Sequence, residues 1–161
     1  MSSTTIDSPV GPVTVRVDAD GALTSVLFAD AGEPDVGPTT PAAERGLKRA
    51  VDQLREYFAG ERTEFDLALA TVGSPFQRRV WAALRDIPYG RTESYGALAA
   101  RIGQPTASRA VGLANGRNPI AIVVPCHRVI GASGTLTGYA GGVERKRWLL
   151  DLEGSLQPTL T

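Results

Sequence analysis

The chain holds one cysteine and one histidine, and they are adjacent, in Pro125-Cys126-His127-Arg128-Val129-Ile130. The thiolate is the nucleophilic form of cysteine, and imidazole is a base suited to neutral pH. The pair could therefore run nucleophilic chemistry. In an extended strand neighbouring side chains point to opposite faces, so the two can cooperate only through a bend or a bridging water. A carboxylate that fixed the imidazole tautomer would complete a relay, and Glu153, near the end of the last predicted helix, is the candidate. The competing reading is a buried structural cysteine beside an incidental histidine. A single cysteine excludes an internal disulfide, and with one histidine it excludes a Cys/His zinc site within the chain.

The elements that must hold these residues follow from pattern. The 161 residues are 42% hydrophobic and 21% charged, which fits a globular chain of one full-sized domain or two small ones. Val13, Val15 and Val17 alternate with polar neighbours and predict a strand; Asp20-Gly21 predicts a turn, residues 23–28 a returning strand and residues 4–8 a third. Residues 32–41 read as a loop. Thr40-Pro41 then opens a helix with Leu47, Val51, Leu54 and Phe58 on one face, closed by Gly60.

Beyond a connection at residues 61–73 the pattern turns mainly helical, which places the expected domains at 1–70 and 71–161. Ser74-Pro75-Phe76-Gln77 carries a capping box, and Val80, Trp81, Leu84 and Ile87 continue an apolar face. A short helix after Thr92 buries Tyr95, Leu98 and Ile102. A turn at 103–105 leads to a second helix over 107–114, capped by Thr106, a spacing that suits a helix-turn-helix. Residues 120–124 form a β-favouring run just before Cys126. Residues 131–142 are a Gly-rich loop containing Tyr139, and 144–152 the final helix. The fold class is α+β: a small N-terminal antiparallel sheet with a helix, then a mainly helical domain.

The formal net charge is zero, but it is unevenly distributed. Residues 1–70 carry six Lys/Arg against twelve Asp/Glu; residues 71–161 carry eleven against five. The basic half could face a polyanion.

The hexapeptide at 125–130 resembles the active-site signature of the O6-alkylguanine-DNA alkyltransferases. The resemblance continues in residues 91–95 (Arg-Thr-Glu-Ser-Tyr), 108–112 (Ser-Arg-Ala-Val-Gly), 114–120, 138–142 (Gly-Tyr-Ala-Gly-Gly) and 148–154. It covers about residues 74–154. It implies a ribonuclease-like N-terminal domain and a winged helix-turn-helix-like C-terminal one. It also implies a reaction: an O6-alkylguanine, or O4-alkylthymine, is flipped out of double-stranded DNA, and its alkyl group moves irreversibly to Cys126, once per molecule. No cofactor or methyl donor is required, because the lesion supplies the group.

Residue by residue, the resemblance makes His127 the base acting through a water, Glu153 its orienting carboxylate and Asn118 the brace of the active-site turn. Tyr95 becomes the donor to the departing guanine. Tyr139, Val129 and Ala140 line the base pocket. Arg109 fills the gap left by the flipped nucleotide, and Ala110, Thr92, Ser94 and Arg128 join it at the DNA.

Two departures stand out. No cysteine or histidine precedes Cys126, so the N-terminal zinc site of some members is absent. Ala140 replaces a serine of some relatives and cannot donate from its side chain. Residues 1–9 carry no basic start with an apolar core, and no apolar run reaches membrane-span length. The expectation is a cytoplasmic bacterial protein, on the nucleoid when bound to DNA. It is expected to be a monomer, with cooperative assembly on DNA left open. The alternatives are a non-catalytic alkyltransferase-like binder, against which Cys126 argues; a sequence-specific regulator, which would discriminate base sequence; and a cysteine hydrolase, which would turn over.

Overall fold

The computed structural model describes residues 2–29, 39–136, 139 and 141–155. The chain is α+β and divides into two compact units, Met1–Val72 with Pro119–Val123, and Gly73–Asn118 with Val124–Thr161. Among the described residues no helix is long and apolar enough to cross a membrane.

In the first unit β1 (Ser2–Ile6), β2 (Val13–Val17) and β3 (Leu23–Leu27) form an antiparallel sheet in that order. The register Ser2↔Val17 to Ile6↔Val13 starts β1 two residues earlier than the expected 4–8. The alternating valines of β2 are fully buried. Helix α1 (Pro41–Phe58) packs on this sheet through Ala43, Ala50, Leu54 and Tyr57. Its first turn is capped by Thr40, which accepts from Ala43 N at 3.0 Å. At the β2–β3 turn Asp18 accepts from the amides of Asp20 and Ala22, and Gly21 takes φ 86°. A Cβ at Gly46 would overlap the Gly21 backbone, so α1 reaches the turn only because glycine stands there.

The outer edge of β3 is covered by two short partners, Leu23 bridging Leu69 and Val26 bridging Ile120. The β-favouring run at 120–124 is therefore not a strand. Only Ile120 pairs; residues 121–124 turn, and Ile122 sits at φ 72° with its side chain 1% exposed. That left-handed conformation costs a β-branched residue roughly 1–2 kcal/mol, which burial of the side chain offsets.

The second unit starts at the predicted capping box. Ser74 Oγ accepts from Gln77 N at 3.1 Å and Gln77 Oε1 accepts from Ser74 N at 3.0 Å, opening α2 (Pro75–Leu84). The two-residue strand β4 (Glu93–Ser94) leads into α3 (Tyr95–Arg101), capped by Ser94, which accepts from Ala97 N at 3.0 Å. A turn containing Gly103 (φ 79°) separates α3 from α4 (Ser108–Gly116), and the two helices pack together. Helix α4 lacks the side-chain cap expected from Thr106; its cap position is Ala107. Trp81 Nε1 donates to the Ala114 carbonyl at 2.8 Å and ties α2 to α4.

After a three-residue 3₁₀ turn at Cys126–Arg128, β5 (Val129–Ile130) pairs in parallel with β4. Helix α5 (Val143–Leu152) buries Lys146, Leu149 and Leu150 and packs against that turn.

Candidate active site

The bend that Cys126 and His127 need is the 3₁₀ turn. It starts behind Pro125, and its three side chains are all buried. A 3₁₀ turn advances about 120° per residue, so consecutive side chains point in different directions. Cys126, 5% exposed, is placed near Asn118, Tyr139 and Lys146. His127 and Arg128 reach the end of α5.

His127 is fully buried and its Nε2 lies 2.7 Å from Glu153 Oε2. Arg128 grips the same carboxylate through two nitrogens, Nε to Oε1 at 2.8 Å and Nη2 to Oε2 at 3.1 Å. Its Nη1 donates to the Ile87 carbonyl at 2.7 Å, and the guanidinium stands 5.8 Å from the centre of the Tyr89 ring. Tyr89 in turn donates to the Leu152 carbonyl at 3.2 Å, closing the loop around the end of α5.

The protonation states follow. Burial pushes the His127 imidazole below its ordinary 6.5, outweighing the attraction of Glu153. The ring is therefore neutral at neutral pH and donates its Nε2 proton to Glu153. Against the pull of burial, His127 first and Arg128 second, each by hydrogen bond and charge, bring the Glu153 carboxyl down from 4.5 to about 2; while the imidazole is neutral, Arg128 is the full countercharge. With the proton on Nε2, Nδ1 is left as an acceptor, and no protein group among the described residues partners it.

At the thiol, burial dominates and pushes the pKa above its ordinary 9.0. The neighbouring Asn118 amide and Tyr139 side chain, and the charge of Lys146, pull the other way. Asn118 also donates to the Val124 carbonyl at 2.7 Å, so it spans the backbone entering the turn and the sulfur. Asn115 Nδ2 donates to the Cys126 carbonyl at 3.3 Å from α4. The assembly is a buried thiol beside a neutral imidazole, with a carboxylate locked behind that ring by an arginine.

Residues 75–155 match the family model for the 6-O-methylguanine DNA methyltransferase DNA binding domain, and residues 1–71 the model for its ribonuclease-like domain. The chain belongs to the 6-O-methylguanine DNA methyltransferase family. A methylated-DNA–protein-cysteine methyltransferase of Mycobacterium tuberculosis is 56% identical over 154 residues, spanning 96% of this chain and 93% of that one. One from Methanosarcina acetivorans is 51% identical over 149 residues, spanning 92% and 96%. The crystal structure of Mycobacterium tuberculosis OGT in complex with DNA superimposes with a TM-score of 0.83 at 55% identity, covering 98% of this chain and 95% of that one.

Within this family frame the expected residues fall as follows. Cys126, His127, Glu153, Asn118 and Tyr139 gather around the turn. Tyr95, half-buried at the start of α3, lies with its ring against Gly112 of α4 and 6.0 Å from Lys146 Nζ. Arg109 and Ala110 are exposed on α4, and Thr92 is exposed before β4. Ser94 spends its hydroxyl capping α3. Val129 is fully buried. Ala140 lies outside the described residues.

Arg128 is a correction. Expected at the DNA, it is 6% exposed, and its guanidinium is committed to Glu153 and the Ile87 carbonyl. The sequence reading missed Lys146, Asn115 and the Arg128–Glu153 pair. A usable signal existed for Lys146: it precedes Glu153 by seven residues, two helical turns, and so shares its face of α5.

Proposed function

We propose that this chain repairs double-stranded DNA by moving the alkyl group of an O6-alkylguanine onto its own Cys126, once per molecule. The observation that carries the reading is the buried turn itself: the only thiol in the chain beside a neutral imidazole whose acceptor nitrogen is unpartnered, with Glu153 and Arg128 behind it.

In this mechanism α4 meets the duplex and the damaged base swings out of the stack. Arg109 enters the gap; extrusion costs a few kcal/mol, which the stacked guanidinium partly offsets. The base enters beside Tyr139. Because burial keeps the Cys126 thiol protonated at rest, ionisation accompanies attack: the proton passes through a water to His127 Nδ1, and Glu153 steadies the imidazolium that forms. The sulfur lone pair forms the S–C bond and the O6–C bond breaks. Its electron pair passes into the guanine ring, which takes a proton donated by the Tyr95 hydroxyl; the phenolate left behind and the His127 imidazolium return to neutral by exchanging a proton through water. Asn118 holds the turn while charge shifts on the sulfur. The product is a neutral thioether that no group in the site can cleave.

Intact-mass measurement after incubation with a duplex containing O6-methylguanine tests this. The expected product is protein heavier by one CH₂ group, mapped to Cys126, with methyl transfer ceasing at one equivalent. Continuing turnover, or a label on another residue, would overturn it.

A further inference from the structure

The chemistry just described leaves one buried charged group without a task. Lys146 has no exposed surface, and an ammonium in such a place is costly unless nearby charge compensates it. It projects from the first half of α5, two helical turns before Glu153, on the face that packs against the Cys126–Arg128 turn. Its Nζ donates to the Val129 carbonyl at 2.6 Å and lies 6.0 Å from the centre of the Tyr95 ring. Val129 leaves the active-site turn and pairs with Glu93, two residues before Tyr95. The ammonium is thus pinned at the junction from which the nucleophile and the phenol both emerge.

The titratable and charged groups around it are Cys126 and His127 from the turn, Tyr95 from α3 and Tyr139 from the loop beside the thiol. Glu153 and Arg128 neutralise each other on the far side of His127. The charge of Lys146 favours ionisation of Cys126 and disfavours protonation of His127. In return, negative charge on the sulfur strengthens the hold of Lys146 on its proton, against burial, which weakens it.

We propose that Lys146 is a positioning residue for the transfer, a fixed buried cation that stabilises the Cys126 thiolate and keeps His127 unprotonated until transfer begins. The proposal rests on Cys126 being the nucleophile. It carries a consequence for the spent protein. Alkylation turns the sulfur into a thioether that cannot ionise, so at the alkaline pH where the free thiol carries charge Lys146 no longer has that partner, and its affinity for its proton falls.

The thiol can be titrated without any DNA, and the chain has only one. The ultraviolet absorbance of the thiolate, and its rate of alkylation by iodoacetamide, are followed against pH in wild type, Lys146→Met and Lys146→Arg. Lys146→Met should raise the thiol midpoint by about one pH unit, a roughly tenfold loss of thiolate below the midpoint. Lys146→Arg, which keeps the charge, should restore most of it. An unchanged midpoint in a folded Lys146→Met protein would overturn the proposal.

Should Lys146→Met not fold, wild type supplies the second measurement. The chain has two lysines, Lys48 and Lys146, and Lys48 is exposed. Carbon-13 labelling at lysine Cε gives two signals to titrate by NMR before and after S-methylation with iodomethane, in which the thiolate displaces iodide. The Lys146 midpoint should fall on methylation while that of Lys48 stays; an unmoved Lys146 midpoint would overturn the proposal. Neither measurement involves methyl transfer from DNA, so a failure here is distinguishable from a failure of the repair reading.

Discussion

Replacing Arg128 by methionine separates two opposite readings of a basic residue in the signature hexapeptide. In the structure Arg128 is the countercharge of a buried carboxylate. Glu153 falls from 4.5 to about 2 in the fold. A fall of roughly 2.5 at about 1.4 kcal/mol each corresponds to roughly 3–4 kcal/mol of preference for the ionised form. A carboxyl that binds its proton less tightly when folded stabilises the protein above its unfolded value. That stabilisation drains away as pH falls from about 4.5 toward 2.

With His127 neutral, Arg128 is the cation that opposes this charge, so Arg128→Met strands Glu153 in the interior. Breaking a buried pair from one side costs about 3–5 kcal/mol, a large share of the roughly 5–15 kcal/mol that holds a domain together. Urea unfolding at neutral pH, followed by the fluorescence of Trp81 and Trp148, should show that loss. Arg128→Met with Glu153→Gln removes the stranded charge and should recover part of it. DNA affinity of the folded fraction, titrated across salt, should keep its slope, because a residue 6% exposed releases no counterion. A single variant within about 0.5 kcal/mol of wild type, with a shallower salt slope, would refute the structural assignment and return Arg128 to the phosphate backbone.

Arg109 makes the opposite forecast, since it is exposed on α4. Arg109→Ala should leave the unfolding midpoint unchanged and slow repair of a methylated duplex about tenfold, while reaction with free O6-benzylguanine stays within about twofold; proportional losses on both substrates, read from single-pass rates, would reject the extrusion role. Asn118→Ala should slow iodoacetamide labelling of the single thiol about tenfold at neutral pH, because the sulfur loses a donor and the turn loses its tie to Val124. An unchanged labelling rate with slower DNA repair would move Asn118 from the thiol to the base.

What was legible in the sequence was local or carried by the motif. The capping box at Ser74–Gln77, the valine alternation of β2 and the Thr40-Pro41 helix start are each fixed by contacts within a few residues, and each formed as its pattern predicts. Cys126, His127 and Glu153 came from the family signature, and their convergence needed only that α5 return to the turn. The misreadings are non-local. Residues 120–124 have strand composition, but only Ile120 finds a partner, Val26, far away in the chain, and Ile122 takes a left-handed turn that no propensity favours. Arg128 is expected at the DNA and Lys146 draws no expectation, because buried arginine and lysine are rare unless paired. The partner of Arg128 lies 25 residues on, and burial of that pair is decided by packing, not by neighbours in sequence.

The depth of the nucleophile fits single use better than turnover. A sulfur 5% exposed, whose ionisation burial opposes, is shielded from solutes and suits a base delivered into its pocket. In an enzyme that turns over, the same enclosure would have to open again for product, and a second reagent would have to reach the thioether. Here nothing leaves the sulfur. The flanking charges also point to one passage through the reaction. Glu153 and Arg128 compensate each other before and after transfer, whereas the sulfur charge that favours the Lys146 ammonium arises as the thiol ionises for attack and is gone once the S–C bond forms. The electrostatics of α5 are thus arranged for the thiolate, and formation of the thioether spends one side of that arrangement while leaving the His127–Glu153–Arg128 chain intact.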